Sequence, residues 1–583
     1  MNNSILIPEH KLNHNYKYKV FINENSKNLN LIYSNKNDPV IKYLDLNRNN
    51  RLKESKYLEN VTLKIIEILR ETLNEIHKEN HSKRYWEIIL RPWLNVFIYT
   101  IRNRYRKIQF ILNKRKNIYF LGNFLFNKYF IPQDTKHFHK LHCSNDWNNY
   151  IYYKIFKHLS KKNILKNEYK INTENTKYIP AEKKSFKHRV DSILKYIDFG
   201  FNKTFVHSSG MSFLNEFMLN LSLFQIPRFY YEESLKNFSF NSKLRTILSD
   251  KLNNKTLKTK DSFLNFLINV MPDQLPFSAL EGYKYCKVIS MNQKYPKDPK
   301  VIFTSNSFYT NEMFKFYTAQ ILDKNNSVKY IIGQHGNNYN TNIFNKFLPE
   351  TTTSDFFLNW GVKKNKQISF CNFISKKEKY FNVNRKYLLI VLRSLGEKRT
   401  LFDQELHNKY SEDYLIKFLS GLDLHQIKNV FIKPHFTHDE NSIFFKKINL
   451  NFPQIKILNK NFKISKIFKK CKLVIYNYDG TSYLQLLSSN FPTIAFWPGK
   501  DRHLIDEVRP IYKSLKKNSL WSDDPLYVSK LVNKNWYNIY DWWHVKKRQY
   551  AISLVKKKLC KPRNFFFIFD LAKIISSYYY EKK

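Results

Sequence analysis

The 583-residue chain has no cysteines in C-x-x-C spacing, no apolar run of membrane-crossing length and half as many acidic as basic residues, and each shortage removes a class of protein. Its five cysteines, Cys143, Cys286, Cys371, Cys471 and Cys560, are scattered. Neither a disulfide framework nor a cysteine zinc site is indicated, which fits a reducing cytoplasm. The opening stretch MNNSILIPEHKLNHNYKYKV lacks a basic segment followed by an apolar one, and no window of about 18 uncharged apolar residues occurs, so neither export nor membrane spanning is expected. There is no Walker loop, no G-x-G-x-x-G and no G-x-S-x-G elbow. His438 and Asp439 have no H-x-x-x-H or carboxylate cluster to complete a metal shell, so no metal is expected.

What is abundant is positive charge: 99 Lys and Arg against 48 Asp and Glu give +51. Two explanations stay open. An AT-rich coding sequence yields Lys, Asn, Ile, Tyr and Phe together, and the basic residues are spread along the whole length. Attraction to a polyanion is the other, be it anionic lipid, a phosphorylated substrate or nucleic acid. Hydrophobic residues at 43% and aromatics at 17% are too many for a disordered chain, and the length calls for at least two domains.

Residues 51–116 read as helical, with Leu63, Ile66, Leu69, Leu73 and Ile76 at three- and four-residue steps. The stretch bearing Arg102, Arg104, Arg106, Lys107, Lys114, Arg115 and Lys116 is either a solvated face or a polyanion-facing one. From about residue 200 short apolar runs alternate with helical segments, the pattern of a parallel sheet with crossover helices. The candidate strands are KTFVHSS, VIFTSNS, VKYIIGQHG, FFLNWG, YLLIVLRS, NVFIKPH, KLVIYNYDG and TIAFWPG. A polar, Lys-rich stretch between Gly361 and Tyr387 suggests a linker, with the boundary near residue 380 separating domains 1–380 and 381–583. At the C-terminus, Lys556, Lys557, Lys558, Lys561 and Arg563 precede Phe565-Phe566-Phe567. That suits either a membrane-surface contact or a buried helix with a solvated basic side.

Three motifs carry candidate chemistry. In VKYIIGQHGNNYN a strand empties into a loop presenting His335 between Gln334 and Gly336, and ligands of open α/β sheets sit outside such strand ends. A histidine there can accept a proton from an attacking hydroxyl, or simply bond its own turn. Gly333 and Gly336 permit close approach, and Asn337 and Asn338 tolerate turns. In KLVIYNYDGTS a strand meets the Asp479-Gly480 turn and a helix capped by Thr481 or Ser482, an anion site or ordinary capping. Arg393, Lys433 and His435 close two further strands of the second half, where together they would neutralise a donor's phosphates. Weaker candidates are His207 with Ser208 and Ser209, Asp146, and Asp501 with Arg502 and His503.

The ordered segments LNEIHKENHSKRYWEIILRPWL, KVIFTSNSFYTNEMFKFYTA, YIIGQHGNNYNT, SDFFLNWG, DGTSYLQLLSSNFPTIAF and DWWHVKKRQYA resemble a family of transferases encoded in bacterial surface-carbohydrate loci, over nearly the full length. More distantly, the chain is similar to CDP-glycerol glycerophosphotransferases and Kdo-type transferases. The resemblance implies an α/β, GT-B-like fold: two Rossmann-like domains facing a cleft, a helical N-terminal elaboration and C-terminal helices, one crossing back toward the first domain. It implies His335 as general base, and Lys433-Pro434-His435 and Asp479-Gly480-Thr481-Ser482 as the donor side. The expected partners are a nucleotide-sugar donor, a glycan or lipid-linked acceptor and an anionic membrane surface, with no specific nucleic acid and no cofactor beyond the donor. The expected place is cytoplasmic, with a peripheral position on the inner face of the membrane as an option. This chain departs from the family in having fewer glycines after Gly336 and Gln485 where a Glu is usual. A nucleic-acid-binding protein and a non-catalytic scaffold are the competing readings.

Overall fold

A computed structural model describes residues 4–7, 18–21, 31–34, 41–42, 48–114, 118–123, 126–160, 164–168, 202–230, 235–256, 259–337, 339–343, 347–362, 366–374, 385–393, 408–435, 438, 440–497, 501 and 503–579. The boundary expected near residue 380, together with Asn338, Asp439 and Arg502, lies outside these.

The helical region expected over 51–116 is two helices, Arg48–His77 and Lys83–Lys114. Between them Lys78 takes φ 57°, and the Asn74 side chain closes the turn, donating to the His81 carbonyl at 2.9 Å and accepting from the Trp86 indole at 2.9 Å. The basic stretch of the second helix is neither solvated nor turned to a polyanion over much of its length. Arg104 and Lys107 are buried, and Arg102 pairs with Glu54 at 2.6 Å. The N-terminal elaboration also contains a sheet that the sequence did not announce. It is built from β1 (Ser4–Ile7), β2 (Tyr18–Phe21), β3 (Leu31–Ser34), β4 (Ile41–Lys42), β5 (Ile118–Asn123) and β6 (Ile164–Glu168), in the order β4-β3-β2-β1-β5-β6.

All eight candidate strands form. β7 (Thr204–His207), β8 (Val301–Thr304), β9 (Lys329–Gly333), β10 (Phe356–Asn359) and β11 (Gln367–Ser369) make a parallel sheet in sequential order. Their apolar runs are continuous because both faces are covered. Phe205, Ile302, Tyr330, Ile332 and Phe357 join the core shared with the N-terminal helices. Val206, Val301, Phe303, Ile331 and Leu358 alternate onto the other face, where Phe567, Leu571, Ala572 and Ile575 of the closing helix Phe567–Ser577 pack. The chain crosses back to reach it: Lys561 N donates to the Trp360 carbonyl and Asn372 N to the Lys561 carbonyl, both at 2.7 Å. Gly361, at φ +139°, allows this approach, since a Cβ there would stand 3.2 Å from the Lys557 carbonyl oxygen.

The second parallel sheet contains β12 (Tyr387–Val391), β13 (Val430–Lys433), β14 (Lys456–Ile457), β15 (Cys471–Tyr476), β16 (Thr493–Phe496) and β17 (Trp521–Ser522). Its order, β14-β13-β12-β15-β16-β17, reverses direction between β12 and β15. Such a switch point splays the loops after the two central strands apart and opens a crevice for a ligand. Arg393 follows β12 and Asp479 follows β15, so both flank that crevice.

Candidate active site

The loop after β9 is held by glycine and by its own glutamine. A Cβ at Gly333 would meet Phe373 Cζ at 2.6 Å and Ser305 Oγ at 2.7 Å, so only glycine fits. Gln334 accepts from Trp360 N at 3.0 Å and donates to the Gly336 carbonyl at 2.8 Å. Both ends of its amide are thus engaged within the protein, and its part in the site is to shape the loop. His335 is an exposed residue of the loop, and Phe308, Tyr339 and the Ser305 carbonyl crowd its ring on the protein side. That wall disfavours the imidazolium and holds the His335 pKa down to about 4, against a weaker upward pull from Ser305. The imidazole is neutral at pH 7, as a proton acceptor must be.

The second sheet meets this loop directly. Asn337 N donates to Thr481 Oγ1 at 2.8 Å, and a Cβ on Gly336 would lie 3.4 Å from the same oxygen. Asn337, expected as a turn former, also donates through Nδ2 to Asp479 at 3.2 Å. Farther along, Ile343 N donates to the His503 carbonyl and Ile505 N to the Thr341 carbonyl, each at 2.9 Å. Asp479 is the hub: the Tyr512 hydroxyl donates to it at 2.8 Å and His503 Nε2 lies 3.1 Å away. Buried and fully engaged, Asp479 is a strut between the sheets.

The helix Thr481–Ser488 is capped by Gly480, with no side-chain cap, which corrects the expectation that Thr481 or Ser482 caps it. Thr481 and Ser482 are its first two residues, half-buried, where backbone N–H groups point out of the helix start. Gly480 is required because a Cβ would stand 2.1 Å from the Tyr478 ring. At the neighbouring strand ends, Arg393 N donates to Asn477 Oδ1 at 2.8 Å, and the Arg393 charge acts on Tyr478 and His438. Lys433 is turned inward, its ammonium donating to the carbonyls of Pro434 at 2.7 Å and Lys460 at 2.6 Å. It holds the loop that carries His435. Burial first and the Lys433 charge second lower the His435 pKa, so His435 offers N–H and lone pair rather than a fixed cation.

Two residues that sequence reasoning missed stand behind His335. The Tyr339 hydroxyl lies 3.0 Å from His335 Nδ1 and 3.2 Å from Nε2, and it donates to Glu350 Oε1 at 2.7 Å. Tyr339 lay inside the quoted histidine motif, four residues on. Nothing in the sequence pointed to Glu350. Among the described residues no group of three or more His, Cys, Asp or Glu side chains could hold a metal ion, and no helix is long and apolar enough to cross a membrane.

Two parallel sheets meeting at their strand ends, with a histidine loop on one and a glycine-capped helix start on the other, define an α/β enzyme architecture. The chain belongs to the LIC12162 family of transferases, whose model matches residues 6–563. A solved structure of the wall teichoic acid polymerase TagF, soaked with CDPG, aligns with a TM-score of 0.32 and 11% identity over 67% of this chain and 93% of that one. No curated protein matches the chain.

Proposed function

We propose that this transferase moves a sugar or polyol-phosphate group from a nucleotide-activated donor to a hydroxyl of a cell-surface glycan or lipid-linked acceptor. The observation that carries the reading is the contact of Asn337 N with Thr481 Oγ1 at 2.8 Å, which brings the His335 loop against the helix start beside the β12–β15 crevice. The donor's phosphates would lie on the first-turn N–H groups, the Ser482 hydroxyl, Arg393 and His435, which stabilise charge as the leaving group departs. His335, neutral at pH 7, would take the acceptor's proton. Such a site works without a metal, because the helix dipole and Arg393 already supply positive potential.

The acceptor's source is suggested by an exposed aromatic and basic surface. Phe565 is 90% exposed, Phe566 60% and Phe569 56%, beside exposed Lys557, Lys558 and Lys561. This favours a peripheral place on an anionic cytoplasmic membrane face.

Thermal-shift titration with CMP-, CDP-, UDP- and GDP-activated donors tests the donor half, since a ligand that binds the folded state raises Tm. One nucleotide class should stabilise the wild type and His335→Ala alike, and Ser482→Ala less. Absence of a shift with all four would overturn the donor site.

A further inference from the structure

We propose that Tyr339 and Glu350 form a proton-holding arm behind His335, in which the Tyr339 hydroxyl links the imidazole to a buried carboxyl. The proposal rests on His335 being the base, and it adds where the proton goes next. The phenol oxygen is within hydrogen-bond distance of the His335 ring while its O–H is given to Glu350 Oε1 at 2.7 Å. Glu350 is 4% exposed, and its Oε2 has no hydrogen-bond partner among the described residues. A buried carboxyl with one satisfied oxygen and one bare one suits a group that gains and loses a proton in place.

The step balances. The acceptor hydroxyl gives its proton to one ring nitrogen of His335 and keeps the electron pair with which it attacks. The imidazolium then releases its other ring proton to the phenol oxygen, which lies 3.0 Å from Nδ1 and 3.2 Å from Nε2, as the phenol passes its own proton to the Glu350 carboxylate. Imidazole, phenol and carboxylic acid are all neutral at the end, and the reverse transfers return the proton through His335 to the leaving phosphate or solvent.

The surroundings support this direction. Burial raises the Glu350 pKa to about 7, while desolvation holds His335 down to about 4, so the carboxylate outranks the imidazole as a proton acceptor, the reverse of their order in water. Tyr339, raised by burial and then by Glu350, keeps its proton and conducts without becoming a phenolate. The other titratable groups facing the arm are Tyr309 on the side of Tyr339 and Tyr330 on the side of Glu350, with the Arg84–Asp355 ion pair, 2.9 Å, acting on Tyr330. Tyr339 and Glu350 act through His335 and are positioning residues.

The test reads the coupling without any substrate. Deuterated full-length protein carrying 13C at histidine Cε1 is titrated by NMR from pH 5 to 9, with the His335 signal assigned by its loss in His335→Gln. The expected result is a His335 shift step centred near pH 7 that reports Glu350, absent in both Glu350→Gln and Tyr339→Phe. Tyr339→Phe keeps the ring against Phe357, so it carries the test if Glu350→Gln does not fold. A flat His335 signal in the wild type, or a step that survives in Glu350→Gln, would overturn the arm. If the step appears while no nucleotide donor binds, the arm stands and the nucleotide-donor reading alone falls.

Discussion

At the end of β9 the site is already built: an imidazole backed by a phenol and a buried carboxyl, on a loop pinned by Gln334 and Gly333. At the ends of β12, β13 and β15 it is left open. There the helix start lacks a side-chain cap, Ser482 is half-buried, and Arg393 lies on a switch point. The difference matches the proposed tasks. A proton acceptor needs a fixed geometry and a tuned pKa before substrate arrives, whereas a phosphate site can recruit its last contacts from the ligand itself. Asp479 joins the halves.

Each half can be broken separately. His335→Ala should lower turnover about 10²- to 10⁴-fold, the usual yield of general-base catalysis, with nucleotide affinity unchanged in the same preparation. Equal losses of binding and turnover would remove the distinction. Asp479→Ala should cost about 3 kcal/mol of folding stability in denaturant titration, because Tyr512, His503 and Asn337 lose a buried acceptor at once. Arg393→Ala should weaken donor binding roughly tenfold by calorimetry, one charge-assisted contact, while the pH profile of turnover stays as in the wild type.

The smallest effect is one of pH on stability. Folded Glu350 keeps its proton between pH 4.5 and about 7 while the unfolded chain has released it, so its contribution falls as pH rises through that window. His335 and His438, both held to about 4, run the other way: the unfolded chain protonates below 6.5 while the folded one does not, and stability is lost as pH falls. Glu350→Gln should therefore make Tm rise more steeply from pH 5 to 7 than in the wild type, and leave the acid-side loss intact.

Strands β7 to β10, β12, β13, β15 and β16 were legible because parallel strands buried on both faces read as unbroken apolar runs. The sheet β1–β6 was not, since its short strands are scattered through Lys- and Asn-rich sequence and are split by the two long helices Arg48–His77 and Lys83–Lys114. The histidine loop and the Asp479–Ser482 turn were legible as strand-end motifs. The inward turn of Lys433 and the engagement of Gln334 were not, because a residue's type does not say which backbone carbonyl or amide lies in reach. Glu350 sits 15 residues beyond His335 on a separate short helix, Pro349–Thr352, and only packing brings it behind Tyr339.

The sequence by itself determined the α/β alternation, the strand-end placement of His335, Arg393, His435 and the Thr481–Ser482 helix start, and membership among transferases. These follow from period, turn chemistry and motif order, which are local. The tertiary structure alone decided that Asp479 is a strut, that Gly480 caps the helix, and that the Glu350 carboxyl is buried behind Tyr339. Those depend on which groups are taken out of water together, and desolvation is a property of the folded assembly rather than of any segment of the chain.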